Sequence, residues 1–326
     1  MMLLRDPSAY HGEKNNRPFF EGWYHKMVMN GGQSLAIIPG IYRSGINNNQ
    51  TAFVMIYDGD KGNVFYERFE VQKFRCSTSR YSLHIGSNYF SLKKIILDIE
   101  SETFTIKGKI TTYNLKPWPV TLFEPGCMGW YSYVPTMECF HGILSMDHSL
   151  DGNIKFNGSN YDFVGGRGYI EKDWGLNFPE NWIWAQSNNF LNNDLSITAS
   201  LATIPWKNTT FAGFIVGLYY KNKLYRFTTY KNTVTKEIYY DSNKFFWKLK
   251  QKNLVLELTI QKGESAGLLY APDKIDMVPR VHEYLDGKIC LKLHDHKGMI
   301  LEDKTKLAAV EIIGDVSKLI NLVEKS

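Results

Sequence analysis

Apolar residues recur at every second position over much of the chain, the period of a half-buried strand. In "TFTIKGKI", Phe104, Ile106 and Ile110 share one side, and Thr103, Thr105, Lys107 and Lys109 share the other. In "LVLELTIQ", Leu254, Leu256, Leu258 and Ile260 oppose Val255, Glu257, Thr259 and Gln261. Turn signals punctuate these runs: "NGG" at 30–32, "DGDKGN" at 58–63, "DGN" at 151–153, "NGSN" at 157–160, "YKNK" at 220–223 and "DG" at 286–287. Short strands so spaced predict antiparallel meanders joined by hairpins, with no βαβ alternation and no TPR-like or WD-like period. Helical spacing is confined to the end of the chain. There, Val316, Leu319, Ile320 and Val323 follow Asp315, a residue suited to an N-cap.

The Pro- and Gly-rich segment at about 115–160 interrupts the strand rhythm and reads as a junction. It divides the chain into an N-terminal β domain, 1–160, and a C-terminal one, 161–326, with the terminal helix. Each half is long enough for a closed antiparallel barrel, which would remove exposed sheet edges. The expected fold is therefore all-β, with two β-barrel halves and a short C-terminal helix.

Composition adds little that is extreme. The 326 residues include 8 Trp, 20 Tyr and 19 Phe, an aromatic content that favours pleated surfaces. A net charge of +5 is mild, and Lys248, Lys250 and Lys252 alternate as on a solvated strand face. This argues against a nucleic-acid partner and leaves a transient contact with a membrane surface open. Four scattered cysteines without a CxxC pair argue against structural zinc. With no apolar leader in "MMLLRDPSAYHGEKNN", the expectation is a cytoplasmic protein with reduced thiols.

The densest chemistry lies in "GGRGYIEKDWG" at 165–175. A phosphate loop would need a Lys-Ser/Thr pair and a following helix. Gly165, Gly166 and Gly168 instead suit a bulge or a close backbone approach at the entry to a strand. In an extended chain Tyr169, Glu171 and Asp173 project to one side and Ile170, Lys172 and Trp174 to the other. Two carboxylates on one interior face could supply a general acid; on a solvated face they would pair with lysine or arginine. In "RPFFEGWYHK", Glu21, Trp23 and His25 share a side, which suits a cavity wall or an edge strand with a packed tryptophan. Glu138 and His141 could pair beside the junction. Trp182, Trp184 and Gln186 form an aromatic ledge ending in an amide, and His282–Glu283 adds a late acid–imidazole pair. His294 and His296 are too few for a metal centre, and no metal or nucleophile signature is present.

Together, "FFEGWYHK", "MECFHGILS", "YDFVGGRGYIEKDWGLNFPENWIWAQSNNF" and "VHEYLDG" resemble the tocopherol cyclase family in order and spacing, over nearly the whole chain. Asp173 departs from the pattern, standing where the plant enzymes carry Asn. The family is similar to the lipocalin-like, two-barrel carotenoid 1,2-hydratase proteins; the Asp of their Tyr-x-Asp-x-x-x-Gly segment falls on Glu171. The resemblance implies two lipocalin-like barrels and an intramolecular lyase or isomerase that closes a prenylated quinol to a chromanol, with neither metal nor redox cofactor. It implies Glu171 as the acid, Asp173 second, and Glu21 or His141 orienting the phenol. Trp23, His25, Glu138, Tyr169, Trp174, Trp182, Trp184, Gln186 and Glu283 would line the site of a small hydrophobic, isoprenoid-like partner. The alternative is a lipocalin-like carrier of a hydrophobic ligand, without chemistry. Oligomeric state is not legible.

Overall fold

The computed structural model describes residues 6–13, 18–47 and 49–325. Residues 1–5, 14–17, Asn48 and Ser326 lie outside it, and with them parts of the stretch read for a leader and the last residue of the helical run. Among the described residues the fold is all-β apart from one α-helix, Val316–Glu324, and short 3-10 turns. The helix starts where the sequence places it. The Asp315 carboxylate accepts from the Lys318 amide at 3.0 Å, while Leu319 and Val323 turn inward. No helix among the described residues is long and apolar enough to cross a membrane.

Two compact units emerge, Met1–Phe178 with Leu268–Arg280, and Pro179–Gly267 with Val281–Ser326. The divide expected near 160 therefore falls inside the first unit. The reason is pairing: strand Arg167–Gly175 lies beyond that point, yet it is hydrogen-bonded on one side to Phe19–Val28 and on the other to Cys139–Phe156. The segment at 115–160 is not a linker between units. It is irregular to about residue 138, with a 3-10 turn at Gly129–Tyr133, and then enters an 18-residue strand.

The first unit holds a twelve-stranded antiparallel sheet built from two meanders. One runs from Phe19–Val28 through Ser34–Arg43 and Gln50–Asp58 to Asn63–Glu70. The other runs from Phe74–Cys76 through Ser82–Ile85, Asn88–Ser91, Lys94–Glu100 and Thr105–Tyr113 to Cys139–Phe156, which also pairs Ser159–Asp162. Arg167–Gly175 is the seam between them. Three motifs far apart in sequence thus become three adjacent strands. The second unit holds a ten-stranded sheet in which Trp182–Ser187 sits between Leu195–Trp206 and Gly298–Ile313, the latter paired in turn to Met277–Asp295. Among the described residues no ladder joins the end strands of either sheet, so the architecture is two antiparallel sheets without demonstrated barrel closure.

Each sheet buries one apolar face in its own core. Phe104, Ile106 and Ile110 enter the first core, and Leu256, Leu258 and Ile260 the second, as the alternation requires. Two expected hairpin turns are absent. "DGN" at 151–153 lies within Cys139–Phe156, where Gly152 has φ +122° and approaches the Lys109 carbonyl too closely for a side chain. "DG" at 286–287 lies within Met277–Asp295, where the pairing register shifts around Gly287. A glycine that signals a turn also suits a bulge or a crowded crossing, and here the second use wins.

The glycines before the seam are likewise structural. Gly165 turns the chain at φ +74°, and a Cβ at Gly168 would lie 2.2 Å from the His148 ring. His148 bonds Ser145 Oγ at 3.1 Å, and His25, which pairs in register with Ile170, bonds the Tyr81 hydroxyl at 2.7 Å. Burial pulls both imidazoles down to a pKa of about 3, with the His148 charge adding to the effect on His25 and Arg167 to that on His148. In the folded protein they stay neutral while the unfolded chain protonates below its ordinary value of 6.5. Stability is therefore complete above that value and lost as pH falls toward 3. Urea unfolding at pH 7 and pH 5 should show a loss of up to about 2 kcal/mol for each histidine. Equal stability at the two pH values would mean that both are charged in the fold.

Candidate functional site

The seam strand Arg167–Gly175 presents two chemically different faces. On one, Tyr169, Glu171 and Asp173 stand in a row, as alternation requires. Neighbouring strands supply the residues directly across from them: Tyr24 and Ile143 flank Glu171, and Gly22 and His141 flank Asp173. His141 Nδ1 lies 2.8 Å from Asp173 Oδ1, and its Nε2 lies 3.8 Å from Glu171 Oε2. The Tyr169 hydroxyl donates to the same Glu171 oxygen at 2.5 Å. Glu171 is 5% exposed and Tyr169 fully buried, whereas Asp173 and His141 are partly open.

The irregular segment before Cys139–Phe156 holds His141 by its main chain. The Cys127 thiol donates to the His141 carbonyl at 3.1 Å, and the His141 amide meets Met128 Sδ at 3.1 Å. The result is a row of polar groups, Asp173, His141, Glu171 and Tyr169, in which the imidazole is hydrogen-bonded to Asp173 and lies 3.8 Å from Glu171. Such a row can hold a proton at one carboxylate and accept one at the other.

One donor atom from each of His141, Glu171 and Asp173 lies within 4.8 Å of the others, close enough to hold a metal ion. Asp173 engages Nδ1, and Nε2 is turned toward Glu171. An imidazole held by a carboxylate through one nitrogen and presented through the other suits proton transfer as well as metal binding.

The other face of the seam carries a buried ion pair. Glu21 and Lys172 are both fully buried, with Lys172 Nζ donating to Glu21 Oε1 at 2.6 Å. Nζ also donates to the Ala9 carbonyl and lies within hydrogen-bonding distance of His11 Nδ1, at 2.8 Å. Burial pulls the pKa of the Lys172 ammonium down, opposed by the charge and hydrogen bond of Glu21. Burial pushes the Glu21 carboxyl upward, but Lys172 and the hydrogen bond from His11 outweigh it and hold the group ionised. The carboxylate further accepts from the His11 amide, at 3.0 Å to Oε2. Burial and the Lys172 charge hold His11 neutral, with its ring stacked on Trp174 at 4.3 Å. The ammonium sits 5.1 Å from the ring centre of Trp23 and 4.5 Å from that of Trp174.

The structure therefore brings together only part of the expected site. Tyr169, Glu171, Asp173 and His141 converge. Glu21, Trp23, His25 and Trp174 share a side with one another but lie on the opposite face of the sheet. Register decides this: Glu21 pairs with Trp174 and Trp23 with Lys172, so their side chains follow Lys172 and not Glu171. Glu138 does not pair with His141, whose ring nitrogens face Asp173 and Glu171. Burial pushes the Glu138 carboxyl up, partly opposed by Arg280.

Trp182, Trp184, Gln186 and Glu283 belong to the second unit. Trp182, Trp184 and Gln186 share one face of their strand, as their spacing predicts, while Ile183 and Ala185 enter the core. Trp182 Nε1 donates to Glu311 at 2.5 Å, and Glu311 lies across from both Trp184 and Glu283. Sequence reasoning missed Glu311, His11, Tyr24 and the pairing role of Lys172. A buried lysine in a strand flanked by tryptophan was the one available signal.

Residues 102–314 match the family model described as "Tocopherol cyclase-like". The chain is 23% identical to the "Probable tocopherol cyclase, chloroplastic" of Oryza sativa subsp. japonica over 373 aligned positions, covering 95% of this chain and 79% of that protein. It is 24% identical to the "Tocopherol cyclase, chloroplastic" of Zea mays, covering 95% and 78%. The structure of CghA with Sch210972 superposes with a TM-score of 0.56 at 8% identity, over 91% of this chain and 89% of that one, a likeness of fold alone.

Removing one partner of a buried ion pair leaves the other charge uncompensated. Lys172→Met should cost about 3–5 kcal/mol in chemical denaturation. Adding Glu21→Leu to it should recover much of the loss. A single variant as stable as the parent would show that the pair contributes nothing.

Proposed function

The chain belongs to the tocopherol cyclase-like family, and we propose that it catalyses acid–base closure of a prenylated hydroquinone or similar lipophilic phenol. The observation that carries this reading is the placement of His141 between Asp173, to which it is hydrogen-bonded, and Glu171, 3.8 Å from its other nitrogen. Glu171 in its protonated form donates H⁺ to one carbon of the side-chain alkene, and the π electrons form the new C–H bond. The tertiary carbon is left cationic. The phenol oxygen attacks it with a lone pair, and the O–H proton passes to the Asp173–His141 pair.

His141 then faces Glu171 through Nε2 and returns the proton, so the cycle closes without net gain or loss. Tyr169 fixes Glu171 through Oε2, so the carboxyl keeps one orientation during transfer. The reaction is a redox-neutral isomerisation, so its balance calls for no electron acceptor. Every proton it moves has a residue to hold it. Phe20, packed edge-on against Phe178 at 5.0 Å, and the buried Tyr24 lie on this face and suit an apolar substrate.

A geranyl-substituted hydroquinone incubated in D₂O should yield a cyclic ether carrying one deuteron at the protonated carbon. Glu171→Gln should lower kcat by about 10²–10⁴-fold while the dissociation constant of the probe stays within about twofold. Dialysis against a chelator should leave the rate unchanged. Binding of the probe with no product from the parent protein would make the chain a carrier.

A further inference from the structure

Gly22 has no evident packing reason to be a glycine. It lies in Phe19–Val28, where every other residue is buried, and it alone is partly exposed. A Cβ built there would meet only Ile38 Cγ2 at 3.7 Å and the Pro39 carbonyl at 3.9 Å, both ordinary contacts. Its φ is outside the left-handed range. Other glycines near the site are accounted for. A Cβ at Gly40 would strike the Phe53 ring at 2.4 Å, and one at Gly142 would strike Pro7 at 2.6 Å. Glycine inside a strand forfeits packing and costs chain entropy, and it marks places where a ligand or another backbone comes close. At Gly22 the nearest other backbone atom is at ordinary distance, so no backbone crossing explains it.

The position of this gap matters. Gly22 is the cross-strand partner of Asp173, which pairs on its other side with His141. Phe20 and Tyr24 project from the same face two residues away in each direction, and the Phe53 ring lies over the neighbouring Gly40. An absent side chain thus opens a flat patch of backbone beside the Asp173–His141 pair, walled by aromatic rings. A planar ring whose hydroxyl bonds Asp173 would rest its face on this patch.

We infer that Gly22 is the specificity-determining floor of the site, and that the gap above it receives the aromatic ring of a phenolic substrate. This rests on the proposed reaction for the substrate class, but its test reads binding and not turnover. Glycine at this place sets how near the ring can approach the carboxylate. A methyl group would lift it, and a larger side chain would fill the gap.

Gly22→Ala and Gly22→Leu would be made in the Glu171→Gln background, where no probe is consumed. Binding would be followed by tryptophan fluorescence with a geranyl-substituted hydroquinone and with geraniol, which has the tail but no ring. Gly22→Ala should melt at or above the parent temperature, since its methyl meets only ordinary contacts. It should bind the hydroquinone about tenfold more weakly. Gly22→Leu should abolish hydroquinone binding, and geraniol binding should be unchanged in both. If Gly22→Leu does not fold, the comparison rests on Gly22→Ala, whose smaller side chain the strand accommodates.

Parent-like hydroquinone affinity in the variants would overturn the inference and leave the chemistry of Glu171 untouched. Equal weakening of both probes would also overturn it, placing the tail over Gly22. Ring-selective loss in a protein that yields no cyclic product would uphold Gly22 and remove the reaction. A parent protein that binds neither probe would remove both.

Discussion

The buried Lys172–Glu21 pair is the contact on which the first unit's organisation turns. It joins the seam strand to Phe19–Val28 through side chains as well as backbone. By donating to Ala9 and contacting His11 it also ties residues 6–13 to the sheet. Desolvating two charges is expensive, and here the cost is offset by short contacts and by tryptophan faces on either side of the ammonium. An ion pair so enclosed tolerates only one register. A one-residue slip would move Lys172 to the other face and leave Glu21 buried without a partner.

Fixing that register also fixes the opposite face. Glu171 and Asp173 must then point away from the core, and His141 must arrive beside them. The same strand separates a locked charge from reactive ones by the thickness of a sheet. Precision at the reactive face comes from backbone pairing on both sides and from the sulfur contacts that hold the His141 main chain.

Much of this was legible from the residues. Alternation gave the strands and the sharing of a side by Tyr169, Glu171 and Asp173. Helical spacing gave the terminal helix and its Asp315 cap, and the glycines at the entry to the seam proved to serve a turn and close approaches. What was not legible depends on long-range pairing. Nothing local says that Glu21 is placed opposite Trp174 rather than opposite Asp173, and that choice alone sends Glu21, Trp23 and His25 to the core side. The readings of 151–153 and 286–287 as turns failed for a related reason, because a glycine's purpose depends on what crosses it. The boundary near 160 failed because a strand beyond it completes the earlier sheet. Glu311 was invisible because its partner, Trp182, is 129 residues away.

The first unit is also discontinuous, since Leu268–Arg280 returns to it. There the Tyr42 hydroxyl donates to the Asp273 carbonyl, Tyr66 stacks on Tyr270 at 4.2 Å, and Arg68 meets Asp276 at 2.9 Å. These contacts have a bearing on biosynthesis. A ribosome delivers the N-terminal meander long before the seam strand, and the seam strand long before this returning segment. Until each arrives, Phe19–Val28 has an unpaired edge and the rings of Tyr42 and Tyr66 lack their cover. Vectorial synthesis thus leaves this unit incomplete while most of the second is being made, a period in which a nascent chain is open to mispairing.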